Sequence, residues 1–153
     1  MNGHLDPLQR LLAEDACRRL VLDAAAAVDG GRPEAFAALF CEDGVLQRPG
    51  GQPLVGRAAI AAAYASRAPD RMTCHIVTNS RVELLGDGEA RVASSVLLWT
   101  GSRADAEGAQ GRPATAQVLG EFDDRLRLTA EGWRFAHRSA RFVLYAPTAA
   151  AGG

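Results

Sequence analysis

The spacing of apolar residues predicts three helices in the first half of the chain. Apolar side chains recur every three or four residues between positions 8 and 28, as on one face of an α-helix. This stripe comprises Leu8, Leu11, Leu12, Ala16, Leu20, Val21, Ala24 and Val28. Asp6 can cap the helix and Pro7 suits its first turn. We expect the second helix over residues 34–40 and the third over residues 57–67.

Alternating apolar and polar residues predict four long strands in the second half. They cover residues 74–85, 90–100, 115–129 and 133–145. Short turns containing glycine join the first to the second and the third to the fourth, which predicts two hairpins. A shorter strand is expected at residues 45–48, before the third helix.

The order of these elements indicates the α+β class, with helices packed on one face of a curved, mostly antiparallel sheet. A chain of 153 residues fits one domain, which we place at residues 1–146, followed by a flexible tail at residues 147–153. The second face of the sheet would expose apolar residues unless a partner covered it. We therefore expect a homodimer that forms through the sheet.

Charge and composition narrow the possible functions. The net charge is −1 without a block of like charge, which argues against nucleic acid or a membrane as partner. All 17 basic residues are arginine, so Schiff-base chemistry on lysine and a P-loop are excluded. The three scattered cysteines fit a reduced, cytoplasmic compartment. The N-terminus lacks the pattern of a signal peptide, and no apolar run is long enough to cross a bilayer.

The strand at residues 74–85 carries the first candidate chemistry. Side chains alternate between the faces of a strand, so His75, Val77 and Asn79 are expected on one face. An imidazole and a carboxamide held together can form an acid–base site. A buried, hydrogen-bonded structural histidine is the alternative. Cys74 would point the opposite way, so a Cys–His nucleophile is not expected.

Metal and nucleotide cofactors are not expected. His4, His75 and His137 lack the spacing of zinc ligands. No GxGxxG segment follows a predicted strand, which argues against a nicotinamide or flavin site.

The order of the predicted helices and strands, with the short motifs that separate them, resembles the SnoaL-like branch of the nuclear transport factor 2-like superfamily. The resemblance covers roughly residues 8–145. It rests on residues 28–36, 39–44 and 55–60, His75-x-x-x-Asn79, the turn at 86–88, Gly120-x-Phe122-x-Asp124 and residues 132–135. It implies a cone-shaped fold, in which three helices close a strongly bent sheet around a ligand cavity. Relatives include scytalone dehydratase, ketosteroid isomerase and polyketide cyclases, so the fold alone does not assign a function.

The resemblance also implies roles for three residues. In scytalone dehydratase-like members an Asp at the end of the first helix orients a strand His, and Asp29 and His75 hold these positions. The carboxylate would stabilise the imidazolium and select the tautomer of the ring. Asn79 would hold water or a substrate oxygen. Two features depart from the dehydratase pattern, because Val28 replaces a tyrosine and Thr100 stands near the expected second histidine.

The expected cavity wall combines residues from a helix and three strands. They are Tyr64, Val77, Val96, Leu98, Thr100, Phe122 and Asp124. His137 is a further candidate, although a structural or partly exposed histidine is the simpler interpretation. Asp124 with Arg125 leaves open the relay of limonene epoxide hydrolase, whereas the Tyr–acid oxyanion hole of ketosteroid isomerase is not found.

The sequence therefore predicts a cofactor-independent acid–base enzyme. It would dehydrate, isomerise or cyclise a small apolar, carbonyl-bearing or polyketide-like metabolite. The alternative is a non-catalytic small-molecule-binding protein or accessory subunit with the same fold.

Overall fold

A capping box fixes the start of the first helix. In the computed structural model, which describes residues 5–147, helix α1 spans Pro7–Asp29. The Asp6 side chain accepts a hydrogen bond from the Gln9 backbone N–H at 2.9 Å, and the Gln9 side chain accepts one from the Asp6 N–H at 3.1 Å. These bonds satisfy amides that the helix leaves free. The predicted helix is confirmed, and its last residue is Asp29.

Only the second half of the α1 stripe is buried. Cys17, Val21 and Ala24 are completely buried, whereas Leu8 is 63 % exposed and Leu11 and Leu12 are 59 % exposed. The N-terminal part of the apolar stripe therefore lies outside the core. A helix of 23 residues is about 34 Å long at 1.5 Å per residue, which exceeds the part of the core that covers it.

Six strands form one sheet in the spatial order β2-β1-β6-β5-β4-β3. They are β1 (Phe40–Gln47), β2 (Leu54–Val55), β3 (Arg71–Gly86), β4 (Glu89–Ser102), β5 (Ala114–Thr129) and β6 (Gly132–Pro147). Neighbours run antiparallel except β1 and β6, which are parallel. The α+β class and both hairpins are confirmed. Because β6 continues to Pro147, the rest of the predicted tail, residues 148–153, lies outside the described residues.

The second helix is shorter and the first strand longer than the sequence predicts. Helix α2 spans Pro33–Ala38, so Phe40 belongs to β1 rather than to the helix. Phe40 is completely buried and pairs with Phe135 of β6, and this tertiary contact outweighs the local helical pattern. Gly44 is needed in β1 because a Cβ there would lie 2.8 Å from the Phe135 carbonyl oxygen. Helix α3 spans Arg57–Ala65, close to its predicted bounds.

The core lies between the helices and the inner face of the sheet. Phe36 of α2 packs edge-on against Phe40 with 5.3 Å between ring centroids, and the ring centroids of Phe40 and Phe135 lie 5.0 Å apart. Helix α1 packs against β3, while α2 packs against α3. Burial of these large rings ties the helical layer to the centre of the sheet.

The outer face of the sheet carries exposed apolar side chains. Register aligns Ile76, Leu97, Leu119 and Leu144 across the four long strands. Ile76 is 49 % exposed and Leu144 is 65 % exposed. The expected homodimer stays a prediction. Within residues 5–147, none of the helices is both long and apolar enough to span a membrane.

Candidate functional site

Asp29 and His75 contact each other directly. Oδ1 of Asp29 lies 2.5 Å from Nδ1 of His75, and its Oδ2 accepts the His75 backbone N–H at 2.9 Å. The Thr73 hydroxyl donates to Oδ1 at 2.9 Å. Packing of α1 on β3 thus brings together two residues that are 46 positions apart in sequence. The structure joins the pair that the resemblance implied and adds Thr73, which the sequence did not single out.

The surroundings of Asp29 favour its ionised form. Partial burial by itself raises the pKa of a carboxyl, but the hydrogen bonds and charge interaction with His75 and the bond from Thr73 outweigh it. The pKa of Asp29 consequently lies below its ordinary value. The carboxylate can therefore stabilise an imidazolium. Because Nδ1 of His75 is engaged, Nε2 is the ring nitrogen left to exchange a proton with a ligand.

His75 lines a small, mostly apolar cavity of about 140 Å³ between the helices and the sheet. Four of the predicted wall residues border it, namely Tyr64, Val96, Leu98 and Phe122. A larger outer cavity of about 470 Å³ adjoins it and is bordered by Asp29. Thr73 borders both cavities. The Asp29–His75 pair therefore lies where the two cavities meet.

Asn79 does not share the face of His75, which corrects the sequence prediction. The β3–β4 register shifts after Thr78, and Asn79 has a left-handed φ of 54°. These features mark a β-bulge, in which one extra residue changes the side to which the following side chains point. Ser80 takes the inward position, and its hydroxyl lies 2.9 Å from that of Ser94. Asn79 is exposed and does not border the cavity beside His75.

Three other predicted binding residues lie outside the cavity wall. Val77 packs against the hydrophobic core, and the Thr100 hydroxyl lies 3.0 Å from that of Thr115. Asp124 is completely buried, and both of its carboxylate oxygens accept hydrogen bonds from Arg138 at 2.7 Å. Burial raises the pKa of the Asp124 carboxyl, while Arg138 opposes the rise. Asp124 thus holds an arginine instead of facing a ligand.

A second β-bulge places Arg138 where hairpin counting places His137. Counted from the turn, Asp124 of β5 would face His137 of β6. The observed pairs skip Ala136, so that Asp124 faces Arg138 and His137 is exposed. The bulge moves the side chain of His137 out of the interior and brings that of Arg138 in.

Arg138 is the main cavity residue that the sequence did not reveal. Its guanidinium carbon lies 4.2 Å from the ring centroids of both Phe122 and Phe135, and it borders the cavity. Nε and Nη2 donate hydrogen bonds to Asp124, whereas Nη1 has no partner in the described part of the chain. Arg125, the partner considered for a hydrolase relay, is exposed instead. The only sequence signal for Arg138 was that it and Asp124 lie on neighbouring strands. Regular pairing sets Asp124 opposite His137, so the bulge concealed this signal.

Cysteine and metal chemistry find no support in the described part of the chain. Burial raises the pKa of the Cys17 thiol to about 12, and Cys41 is also buried. Cys74 is exposed on the face of β3 opposite His75. Within residues 5–147 no three metal-binding side chains cluster.

Known proteins share this architecture. A family model described as a SnoaL-like domain matches residues 9–139. A hexachlorocyclohexane dehydrochlorinase (LinA type 2) gives a TM-score of 0.79 at 18 % identity over 93 % of each chain. A proposed scytalone dehydratase from Novosphingobium aromaticivorans gives 0.77 at 23 % identity, over 92 % of this chain and 91 % of that one. A proposed dehydratase of the NTF2-like family from Streptomyces avermitilis gives 0.75 at 19 % identity, over 87 % and 98 %.

These similarities show a shared NTF2-like fold and confirm the expected fold class. At such identities they extend to the fold alone. No curated protein sequence gives a significant match.

Proposed function

Because the chain belongs to the SnoaL-like domain family and pairs His75 with Asp29 beside an apolar cavity, we propose that it is a cofactor-independent acid–base enzyme. The reaction is a dehydration, isomerisation or cyclisation of a small apolar, carbonyl-bearing or polyketide-like metabolite. The 2.5 Å contact between Asp29 and His75 carries this proposal, since it engages one ring nitrogen and leaves the other for the substrate.

The proton moves through Nε2 of His75. The neutral ring removes a proton from the carbon beside the substrate carbonyl, and Asp29 stabilises the imidazolium that results. The same nitrogen then returns the proton to a leaving hydroxyl or to a new carbon. Nη1 of Arg138 is a donor available for the carbonyl oxygen on which negative charge develops. The apolar wall excludes water and strengthens both interactions.

Two variants and a matched control test the catalytic role. His75→Ala removes the base and Asp29→Asn removes the charge that orients it, whereas His137→Ala removes an exposed histidine. Turnover is measured on polyketide-like and cyclic ketone substrates. Hexachlorocyclohexane is added because the LinA relative is a dehydrochlorinase, and that reaction also combines proton removal with loss of a leaving group. Thermal melting establishes that each variant folds.

The expected losses differ between the variants. Loss of a general base lowers turnover about 10²- to 10⁴-fold, so we expect this range for His75→Ala. Asp29→Asn should lower turnover as well, and His137→Ala should leave it unchanged. Unchanged turnover in both folded site variants would refute the acid–base role. Ligand binding without any turnover in the wild-type protein would favour the alternative, a small-molecule-binding protein or accessory subunit.

We propose that the protein is a homodimer that forms through the outer face of its sheet. The aligned row of Ile76, Leu97, Leu119 and Leu144 supports this, since a contiguous apolar surface of this kind is normally covered. Light scattering should give twice the chain mass of 16.1 kDa. Leu144→Glu should shift the mass to the monomer, and the control Leu8→Glu, on exposed α1 surface, should not. A monomeric wild-type protein would refute the proposal.

A further inference from the structure

The two cavities are bordered by more positive than negative side chains. Five arginines border the small cavity, and two of them are paired, Arg138 with Asp124 and Arg141 with Glu121. The other three are Arg48, Arg67 and Arg71. Within residues 5–147 these three have no carboxylate partner. The outer cavity repeats this imbalance, because four arginines border it and Asp29 is its only acidic residue.

The unpaired arginines come from three separate elements. Arg48 directly follows β1, Arg67 follows α3, and Arg71 begins β3. Arg71 and His75 lie on the same face of β3, four residues apart, which corresponds to about 13 Å along a strand. Arg67 and Arg71 border both cavities. Arg67 and Arg71 thus lie where the two cavities meet, and Arg48 borders the small cavity that His75 also lines.

Arg67 is held in place before any ligand arrives. Its guanidinium carbon lies 3.8 Å from the centroid of the Tyr64 ring. That ring in turn packs on Phe36 with 4.5 Å between centroids. The stack fixes the plane of the guanidinium, so little side-chain entropy is lost when a planar anion binds to it.

This arrangement costs stability unless an anion completes it. Arg48 and Arg67 are half-buried, whereas Arg71 is exposed. Half-buried arginines are normally paired, because burial penalises an uncompensated charge. Burial lowers the pKa of Arg67, and the positive charges of Arg71 and Arg48 add to the effect. Nε of Arg48 is buried and has no hydrogen-bond partner among residues 5–147. Asp29 cannot supply the missing charge, since both its oxygens are bound to His75 and Thr73.

We propose that the substrate carries a carboxylate, which binds to Arg48, Arg67 and Arg71 while the apolar part of the molecule enters the cavity beside His75. Placement of the reacting carbon at His75 rests on the proposed function, whereas the binding of the carboxylate does not. A guanidinium fork matches the two oxygens of a carboxylate, and the apolar wall suits a compact ring or chain.

Binding of charged and neutral probes of the same shape tests the proposal. Benzoate and cyclohexanecarboxylate are compared with benzamide and cyclohexanecarboxamide by calorimetry on the 153-residue chain. Inorganic phosphate is a third probe, which reports an anion site without an apolar requirement. The variants are Arg67→Gln and Arg71→Gln, and the control is Arg125→Gln, an exposed arginine away from both cavities. Thermal melting confirms that the variants fold.

The carboxylates should bind more tightly than the amides, and each site variant should raise their Kd about tenfold or more. Arg125→Gln should leave the Kd unchanged. His75→Ala should retain the preference for carboxylates even if it abolishes turnover, so that the binding proposal and the proposed function can fail independently. Equal binding of carboxylates and amides, or a Kd within twofold of wild type in both site variants, would overturn the proposal. Phosphate that binds as tightly as benzoate would overturn it too, because the apolar part would then contribute nothing.

Discussion

Removal of Asp124 alone should destabilise the protein more than replacement of Asp124 and Arg138 together. Asp124→Leu leaves the Arg138 guanidinium in the interior without its counter-charge. The side chains of Asp124 and Arg138 are 0 % and 4 % exposed, so solvent screens neither. Two hydrogen bonds of 2.7 Å are lost, and the rings of Phe122 and Phe135 keep the guanidinium in place.

The magnitude follows from this burial. Breaking a buried pair by removing one partner costs about 3–5 kcal/mol. The guanidinium of Arg138 keeps its contacts with the faces of Phe122 and Phe135, so we expect a loss near the lower end, about 3 kcal/mol. In a protein of this size that corresponds to a fall in Tm of roughly 6–12 °C. The double variant Asp124→Leu with Arg138→Met should lie within about 1 kcal/mol of the wild type, because no charge is left unpaired.

Urea unfolding followed by circular dichroism measures these free energies. The matched control is Asp123→Leu, which removes the neighbouring carboxylate on β5. Asp123 pairs with Arg91 at the surface, where the two side chains are 50 % and 43 % exposed, so the loss should be below about 1 kcal/mol. If Asp124→Leu costs no more than Asp123→Leu, or if the double variant is as unstable as the single one, the assignment of a buried, mutually dependent pair is wrong.

Four further predictions concern Asp29, Asn79, Gly44 and Asp6. Because the pKa of Asp29 lies below its ordinary value, its charge should stabilise the fold fully above about pH 4 and less as the pH falls through the pKa of the folded state. Urea midpoints of Asp29→Asn and wild type should therefore converge in acid, and a constant difference would contradict this. Asn79→Gly should be nearly neutral, whereas Asn79→Val should cost about 1–2 kcal/mol at a φ of 54°; equal Tm values would argue against the bulge. Gly44→Ala should cost about 1–3 kcal/mol, seen as a lower urea midpoint, since its Cβ would overlap the Phe135 carbonyl. Asp6→Ala should cost about 1 kcal/mol in the same assay, and no loss would mean that the capping box contributes nothing.

The helices, the strands and the Asp29–His75 pair could be predicted from the sequence, because each depends on a local signal or on a family pattern. The Asp6 cap, the alternation along β3 and the glycine turns are encoded within a few residues. The position of Asp29 at the end of α1 and of His75 on β3 follows from the order of elements that the chain shares with relatives. Packing of α1 on β3 then brings the two side chains together.

The orientations of the Asn79 and Arg138 side chains could not be predicted from the sequence, for one physical reason. Each residue lies next to a β-bulge, and a bulge reverses the inward and outward positions of every residue that follows it until another bulge restores them. Its position depends on how the whole sheet bends around the helices, which local alternation does not record. Strict alternation therefore predicts Asn79 on the inner face, and regular pairing counted from the turn would set Asp124 opposite His137 rather than Arg138. The unpaired arginines were missed because three distant elements meet only in the folded chain.

The bulge at Ala136 also bears on how such a cavity can evolve. Deletion of Ala136 itself would keep the observed pairs, whereas deletion of Arg138 would remove the bulge, so that Ala136 faced Arg125 and His137 faced Asp124. One deleted codon would thus replace a permanent cation in the cavity by an imidazole, which can accept and release a proton, without any amino-acid substitution. In lineages that descend from this chain, changes of length in β6 could alter the reaction as strongly as changes of identity.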